Sequence, residues 1–482
     1  MVTSDWHMND DVVTVRGRGY FRMIAGKYWK LSLAFAVYMY YYLTAELTFT
    51  ELMVLEFGAG AGTLFYGFYC LAGAAGFFGY GLTRMLVKGT GGRCRLLCIV
   101  GVFGVGFTLS APFAGGSFAG AFTLAAMLAA GYAGGELLCN IAVCVREKST
   151  LGIFIAAPYS AAFLLQFLFG YVEPFFGDAL QTVTHIVLAA AFAVCVFLLL
   201  AHGLAAPDGN PSSFAKKPDA KKYLWGAVIS CLIISCLYGL MDGIIMLLHS
   251  GQELDVWSGT RLLTIPGMLS AAWFADYKHG KYFPFATLIA MVMAVSAVLL
   301  WREADTWNLA LGAVYFFFSF MSIYSLAIFV RVASDTDKPG LWAAAGRGVK
   351  YAAGGAFALL GSFVFENISL LAIELLYLAL LIILACVFFF QGRLGMTPDA
   401  GQRQPAQLSR GQTFEEMVAF YGITEREAEA LRFLLKAAKT SDIASAMFVV
   451  EGTVYKYISS MITKTGRKNR AELIALFSRA KD

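Results

Sequence analysis

Long apolar stretches alternate with short polar connections over residues 28–391. Each stretch is near the roughly 20 residues that cross a bilayer as a helix. None shows the period-two alternation of a strand, and only helices or closed barrels satisfy backbone hydrogen bonds in lipid. The twelve predicted spans are 28–48, 57–81, 94–113, 117–144, 151–171, 183–203, 223–248, 257–275, 282–301, 308–332, 341–364 and 368–391. The pattern therefore predicts an all-α membrane bundle.

The pattern changes after residue 391. A polar segment, 392–413, is predicted to be a linker that reaches roughly 70 Å if fully extended. Short amphipathic segments follow and predict a small helical domain. The predicted divisions are an N-terminal segment (1–27), a first six-span half (28–203), a basic loop (204–222), a second six-span half (223–391), the linker (392–413) and the C-terminal domain (414–482).

Composition agrees with a membrane protein. Of 482 residues, 59% are hydrophobic and 14% are charged, against about 25% charged in soluble domains. Cys94 and Cys98 share a helix face, but no second Cys/His pair completes a metal site, so the cysteines are interpreted as small apolar residues. The N-terminus is not expected to be a cleaved signal, because the first apolar run is too long and no small-residue cleavage site follows it.

The charges of the connections predict the orientation. Connections that carry an excess of Lys and Arg alternate with acidic or uncharged ones along the chain. Under the positive-inside rule the basic set faces the cytoplasm. The expectation is a multi-pass plasma-membrane protein with both termini in the cytoplasm.

Four amphipathic helices are predicted in the C-terminal domain. Thr424 is placed to cap the first, with Glu427 at the spacing of a capping box. Thr440 is placed to cap the second, which a turn at 448–451 joins to the third, at about 452–465. Asn469 is placed to cap the fourth.

The second and third helices have the arrangement of a helix-turn-helix. Val454, Ile458, Met461 and Ile462 form the predicted buried stripe of the third helix, and the opposite line can enter a major groove. Positive charge follows it, as phosphate binding requires. The predicted DNA-binding residues are Thr440, Gly452, Thr453, Tyr455, Lys456, Ser459, Lys464, Arg467, Lys468 and Arg470.

Residues 420–480 resemble the LuxR-type DNA-binding domain. The resemblance rests on Ile423-Thr424-Glu425-Arg426-Glu427-Ala428-Glu429-Ala430-Leu431, then Asp442-Ile443-Ala444, Glu451-Gly452-Thr453-Val454, Tyr457-Ile458, Lys464 and Asn469-Arg470. It implies that Tyr455, Lys456 and Ser459 face the bases and that Thr453 contacts a phosphate. It also implies a homodimer through this domain.

The chain departs from that family in several positions. Val450 stands where Ser or Thr is usual, Tyr455 where Lys is usual, Ala437 where Gly is usual and Ser441 where a basic residue is frequent, which leaves the operator preference open. For Arg470 an intradomain pair with Glu427 is the alternative to DNA contact. For the whole domain the alternative is that it binds only protein.

Residues 1–395 resemble the major facilitator superfamily. The basic loop 204–222 divides the spans six and six, and Ala275-Asp276-Tyr277-Lys278-His279-Gly280-Lys281 resembles the family's loop motif after the eighth span. The first copy, Gly79-Tyr80-Gly81-Leu82-Thr83-Arg84, lacks the acidic residue. The resemblance implies a two-half bundle whose halves are latched by charges near the cytoplasmic side.

Ionisable residues within spans are functional candidates, because they are costly to bury in lipid. Glu46, Asp242 and Arg261 are predicted at similar depth, with Tyr42 and Tyr238 one turn away, and Asp242 can pair with Arg261. A pocket of this kind suits a small polar or cationic ligand; interfacial anchoring with a structural ion pair is the alternative. Glu136, Asp276 and Arg347 are the candidate cytoplasmic gate, by topological analogy.

The sequence does not predict an enzyme. The five histidines form no ligand cluster, no nucleophile–base arrangement is found, and no cofactor is expected. The predicted function is a membrane-embedded one-component transcriptional regulator that senses a small-molecule ligand and binds double-stranded DNA. The alternative is a transporter of the major-facilitator type with a regulatory or vestigial DNA-binding tail.

Overall fold

The computed structural model describes residues 28–87, 89–145, 148–205, 220–250, 254, 256, 258–298, 307–393, 413–421, 423–436, 438–465, 467 and 469–478. The chain separates into two compact units: Met1–Pro398, the membrane unit, and Asp399–Asp482, the C-terminal unit. Four sequence predictions fall outside the described residues: the segment 1–27, positions 206–219 of the basic loop, positions 394–412 of the linker, and Lys468.

The membrane unit is helical throughout its described part. Its first half contains α1 (Trp29–Phe57), α2 (Ala59–Leu86), α3 (Thr90–Ala114), α4 (Gly116–Cys144), α5 (Leu151–Val172) and α6 (Leu180–His202). Its second half contains α7 (Ala220–Ser250), α8 (Thr264–Asp276), α9 (Phe283–Val298), α10 (Trp307–Ala333), α11 (Pro339–Asn367) and α12 (Leu370–Arg393). Each predicted span overlaps one of these helices.

Eight of these helices are long and apolar enough to cross a membrane, namely α2 to α7, α10 and α12. The chain is therefore a multi-pass membrane protein, and the count of twelve spans remains a prediction. Helices α8 and α9 are short, at 13 and 16 residues. Helices α1 and α11 are less apolar because they carry polar side chains, including Glu46 in α1 and Lys350 in α11.

Helix α11 borders both halves. It packs against α7 in its own half and against α2 in the first half. A Cβ added at Gly239 of α7 would lie 2.3 Å from the carbonyl oxygen of Gly354 in α11. Such an approach requires glycine, and small residues allow helix backbones to pack closely in membranes. The polar side chains of α11 consequently lie at the boundary between the halves.

The C-terminal unit is a compact helical domain with its own core. It contains α13 (Phe414–Tyr421), α14 (Glu425–Leu435), α15 (Thr440–Ala446), α16 (Glu451–Thr465) and α17 (Arg470–Phe477). Leu431, Leu434, Ile443, Val454 and Leu473 are fully buried in its core. Four helices were predicted in this unit, and its described part contains five. The additional helix, α13, is two turns long, and its Phe414 and Tyr421 pack against the ring of Phe477.

Two of the three predicted helix caps are confirmed. At α14, Glu427 N donates to Thr424 Oγ1 and Thr424 N donates to Glu427 Oε2, at 3.4 and 2.7 Å, so the capping box is complete. At α17, Glu472 N donates to Asn469 Oδ1 at 2.9 Å. The cap at Thr440 was wrong, because Lys439 occupies the N-cap position and Thr440 is already helical.

Candidate functional site

The helix-turn-helix of the C-terminal unit consists of α15, the turn at 447–450 and α16. One side of α16 faces the core, where Val454 and Met461 are fully buried and Ile458 is 6% exposed. Because side chains three and four positions apart share a helix face, this stripe leaves the opposite side of α16 open to solvent.

The open side of α16 presents the residues that the sequence pattern assigned to it. Gly452, Lys456 and Ser459 are exposed, Tyr455 is 58% exposed, and Thr453 is half-buried. A helix of about 10 to 12 Å in diameter with such a face fits the major groove of B-DNA, which is about 12 Å wide. Contact between these side chains and DNA remains a prediction.

Lys464 is held inside the domain rather than on the open face. Its ammonium donates to Glu427 Oε2 at 2.5 Å, and the carboxylate also accepts from Thr424. Burial alone would raise the pKa of Glu427, but the hydrogen bonds from Lys464, Ser460 and Thr424 outweigh it and lower that pKa to about 2. The structure therefore gives Lys464 a structural role.

Arg470 and Thr440 also bond to one another. Arg470 Nη2 donates to the carbonyl oxygen of Ala438 at 2.9 Å, and its Nη1 donates to Thr440 Oγ1 at 3.3 Å. The alternative pair of Arg470 with Glu427 is not formed, because Lys464 occupies that carboxylate. Thr440 is 9% exposed, so its hydroxyl faces the interior instead of DNA. Arg467 is half-buried.

The turn before α16 has two unusual residues. Phe448 adopts φ 55°, in the left-handed region that disfavours bulky side chains, and it is 96% exposed. Val450 is 73% exposed and has no polar atom with which to cap α16. Together with Tyr455, these two residues are the large hydrophobic side chains that are exposed in the described part of this unit. The turn and the beginning of α16 therefore expose more apolar surface than the charge pattern indicated.

The membrane unit contains a cavity between its two halves. Its volume is about 100 Å³, enough for several water molecules or a small ligand. Both halves contribute its walls, which include Glu46 of α1, Tyr66 of α2, Asp242 of α7 and Lys350 of α11. Aromatic rings form much of the remaining lining: Tyr159, Phe163, Tyr238, Tyr315, Phe318 and Tyr351.

Four of the five predicted ligand residues line this cavity, but their pairing differs from the prediction. Asp242 Oδ2 accepts a hydrogen bond from the hydroxyl of Tyr66 instead of pairing with Arg261. The guanidinium carbon of Arg261 lies 5.5 Å from the ring centre of Phe163. Tyr66 and Asp242 belong to different halves and are 176 residues apart, so sequence spacing gave no signal for this bond.

Tyr42 does not line the cavity, whereas Lys350 does. Tyr42 is fully buried, and its ring centre lies 4.8 Å from that of Tyr351. Lys350 was not among the predicted ligand residues. A lysine inside an apolar span was nevertheless an available signal.

The three predicted gate residues lie in three separate clusters. Glu136 of α4 is 3.8 Å from Arg84 of α2 and accepts a hydrogen bond from Asn140 at 3.0 Å. Arg84 packs against α11, where a Cβ at Gly340 would lie 2.1 Å from its side chain. This cluster therefore connects the two halves, but it includes neither Asp276 nor Arg347.

Asp276, at the end of α8, joins that helix to α5 in the other half. Its two carboxylate oxygens accept from the amide nitrogens of Gly152 and Ile153, at 2.7 and 2.9 Å. Arg331 of α10 donates to the same carboxylate at 2.9 Å. Free amide groups and the helix dipole make a helix N-terminus favourable for a carboxylate. Arg331, which lies at the end of the predicted span 308–332, is 3% exposed.

Arg347 lies deeper in the bundle than a gate residue at the helix end. It is eight residues into α11, about 12 Å along the axis. Its Nη2 donates to the hydroxyl of Tyr159 at 3.2 Å and also contacts Met39 Sδ. The prediction grouped it with Glu136 because depth was counted along the sequence, which does not show the direction of a side chain.

Comparison with known proteins agrees with the two-unit architecture. The family described as "Bacterial regulatory proteins, luxR family" matches residues 422–477. No curated protein matches the chain by sequence.

Solved structures with a similar fold are membrane transporters. A bacterial homologue of the iron transporter ferroportin, in an outward-facing state, is 10% identical with a TM-score of 0.54, and the match covers 75% of this chain and 98% of that one. The nucleoside transporter NupG is 13% identical with a TM-score of 0.50, and the match covers 76% of this chain and 99% of that one. At such low identity the likeness concerns the fold alone. The chain thus combines a membrane unit whose fold is similar to those of the ferroportin homologue and of NupG with a C-terminal LuxR-type helix-turn-helix domain.

Proposed function

We propose that this protein is a membrane-embedded one-component transcriptional regulator. The observation that carries the proposal is the presence, on one chain, of a LuxR-type domain and of a charged cavity between two membrane halves. The membrane unit binds a small molecule in the cavity, and the helix-turn-helix binds double-stranded DNA. In this proposal the protein lies in the plasma membrane with both termini in the cytoplasm, and the C-terminal domain acts as a homodimer.

The cavity and the start of the linker are connected through one helix. Helix α7 carries Tyr238 and Asp242 at the cavity, while near its other end Gly226 O and Ser230 Oγ accept from Gln391 Nε2 at 2.6 and 2.8 Å. Gln391 is close to the end of α12, from which the linker continues. A ligand that favours one arrangement of the halves would move this attachment point, because ligands shift equilibria through differential affinity.

In the proposed DNA complex, the open side of α16 enters the major groove. Tyr455, Lys456 and Ser459 contact base edges, and Thr453, with the backbone at Gly452, contacts phosphate. Arg467 and Lys468 add positive charge beside the groove. Lys464, Arg470 and Thr440 support the domain instead, since their polar groups bond to one another or to Glu427.

Crosslinking of the full-length chain to genomic DNA in cells, followed by sequencing of the captured DNA, tests this proposal. We expect discrete promoter sites for the wild type and a loss of about fivefold or more in occupancy for Lys456→Ala, since a base or phosphate contact contributes about 1–3 kcal/mol. Lys436→Ala removes the same charge from an exposed position at the end of α14 and is the matched control. Absence of any promoter site for the wild type would refute DNA binding.

A transporter with a regulatory or vestigial tail is the second candidate. The fold and the cavity between the halves favour it. Uptake into vesicles that contain the purified protein, unchanged when residues 399–482 are deleted, would support this function. The two functions can coexist, so the uptake assay and the DNA assay are read independently.

A further inference from the structure

Two opposite charges line the cavity from different halves of the membrane unit. Glu46 belongs to α1 and Lys350 to α11, and both border the same cavity. Their side chains are almost removed from solvent, since Glu46 is 8% and Lys350 is 5% exposed. Charges buried to this degree in a membrane protein require compensation, either from the protein itself or from a bound ligand or ion.

Neither charge forms a salt bridge within the described part of the chain. The Glu46 carboxylate has the thiol of Cys70 at 4.0 Å. The Lys350 ammonium has the hydroxyl of Ser322 at 3.5 Å and lies 5.0 and 5.3 Å from the ring centres of Tyr238 and Tyr351. These contacts are weak or neutral, and they leave one carboxylate and one ammonium facing the cavity.

Neighbouring buried charges are compensated differently. Asp242 accepts the hydroxyl hydrogen of Tyr66. Arg347 donates to Tyr159 at 3.2 Å, and its guanidinium lies 5.1 Å from the ring centre of Tyr351. Asp242 and Arg347 thus each form a hydrogen bond with a tyrosine hydroxyl, whereas Glu46 and Lys350, whose charges have opposite sign, form only the long contacts of 4.0 and 3.5 Å.

A ligand with both charges would compensate both residues at once. An ammonium group would donate to Glu46 and a carboxylate would accept from Lys350, as charge-assisted hydrogen bonds that are stronger than neutral ones. The aromatic lining, including Tyr66, Phe163 and Phe318, would contact an apolar body between or beside the two charged groups. A simple cation or a simple anion would leave one of the two charges uncompensated.

We propose that the cavity binds a small zwitterion of the α-amino-acid class, with its ammonium at Glu46 and its carboxylate at Lys350. This inference rests on the ligand site of the proposed function, and it revises the sequence expectation of a small polar or cationic ligand. Such a ligand joins α1 of the first half to α11 of the second, and it thereby favours the arrangement in which the halves lie close together.

Thermal unfolding of the purified full-length protein in lipid nanodiscs tests the ligand class. The probes are the twenty proteinogenic α-amino acids at about 10 mM. A ligand raises the unfolding temperature measurably when its concentration exceeds its dissociation constant. For each one that raises the unfolding temperature, the corresponding decarboxylated amine and deaminated acid are compared. We expect at least one amino acid to bind at least tenfold more tightly than either of its singly charged analogues.

Two conservative variants assign the two contacts. Glu46→Gln is expected to lose the preference for the amino acid over the deaminated acid, because no carboxylate remains for the ammonium. Lys350→Met is expected to lose the preference over the decarboxylated amine. Asp335→Asn, which removes a carboxylate that precedes α11, pairs with Lys148 at 2.7 Å and lies outside the cavity lining, is the matched control and is expected to keep both preferences.

The proposal is overturned if none of the twenty amino acids stabilises the wild type. It is also overturned if an amine or acid analogue binds as tightly as its amino acid, or if both variants keep the wild-type preferences. These results are separate from the DNA assay, because binding is measured on the purified full-length protein in the absence of DNA. Amino-acid binding without any promoter occupancy would refute the regulator and leave the ligand class standing.

Discussion

The buried charges of the membrane unit fall into two contrasting regions. At the end of α8, Asp276 is compensated by Arg331 and by two amide groups of α5. In the central cavity, Glu46 and Lys350 remain without an ionic partner in the described residues. A compensated charge of the first kind suits a structural contact between the halves. Charges without an ionic partner, as in the second region, are available to bind a ligand. The compensation of a buried charge, and not its burial alone, distinguishes the two roles.

The largest expected effect separates these regions by stability. Asp276→Asn leaves the buried guanidinium of Arg331 without its carboxylate, and removal of one partner of a buried pair costs about 3–5 kcal/mol. Glu46→Gln removes a charge that has no ionic partner, so we expect no loss of stability. Thermal unfolding of both variants in nanodiscs, without added ligand, is the measurement. Equal destabilisation by the two substitutions would remove the distinction between the regions.

The C-terminal unit offers a second compensated charge for comparison. Lys464→Met leaves Glu427 without its ammonium, and a hydrogen bond to a charged group contributes about 1.5–3 kcal/mol. Lys436→Met at an exposed position is expected to change the free energy of unfolding by less than about 0.5 kcal/mol. Chemical unfolding of residues 399–482, followed by circular dichroism, measures both. Similar values for the two lysines would show that the Lys464 contact is not structural.

Acid unfolding of the same unit sharpens the assignment. The pKa of Glu427 is lowered to about 2 in the folded state, against about 4.3 in an unfolded chain. The unfolded state therefore binds more protons between these values, so the contribution is complete above about pH 5 and is lost as the pH falls toward 2. We expect Glu427→Gln to show a smaller loss of stability over this range than the wild type. An identical pH dependence of the two proteins would contradict the assignment.

The smallest expected effect concerns the turn before α16. Phe448 has a positive φ, which is unfavourable for a bulky residue, and its side chain is almost fully exposed. Phe448→Asn should raise the stability of the C-terminal unit by about 1 kcal/mol, because asparagine tolerates this conformation. Ser441→Asn at an exposed helical position is the control and should give no gain. A loss of stability in Phe448→Asn would mean that the ring makes a stabilising contact.

Local features could be predicted from the sequence, whereas long-range pairings could not. Apolar length located the membrane helices, and the spacing of Thr424 and Glu427 located a capping box. The contact of Arg331 with Asp276 spans 55 residues and two helices, and no periodicity reports it. Helix α13 was missed because two turns of amphipathic sequence give a weak signal.

The same limit applies to the candidate sites. The open face of α16 follows from helical periodicity alone, so Lys456 was placed on it correctly. Lys464 points inward because α14 packs beside it and supplies Glu427. That packing cannot be inferred from the sequence of α16 alone. In the cavity, Glu46 and Asp242 were found as charges within spans, but the role of Lys350 required the packing of α11 against the first half.

The central claim is that the cavity controls binding of the helix-turn-helix to DNA. Promoter occupancy by the full-length protein in cells, compared between wild type, Lys456→Ala, Glu46→Gln and Lys350→Met, tests it most directly. We expect Lys456→Ala to lower occupancy about fivefold or more, and both cavity variants to change its response to the amino acid that stabilises the protein. Unchanged occupancy in Lys456→Ala, or a wild-type response in both cavity variants, would contradict it.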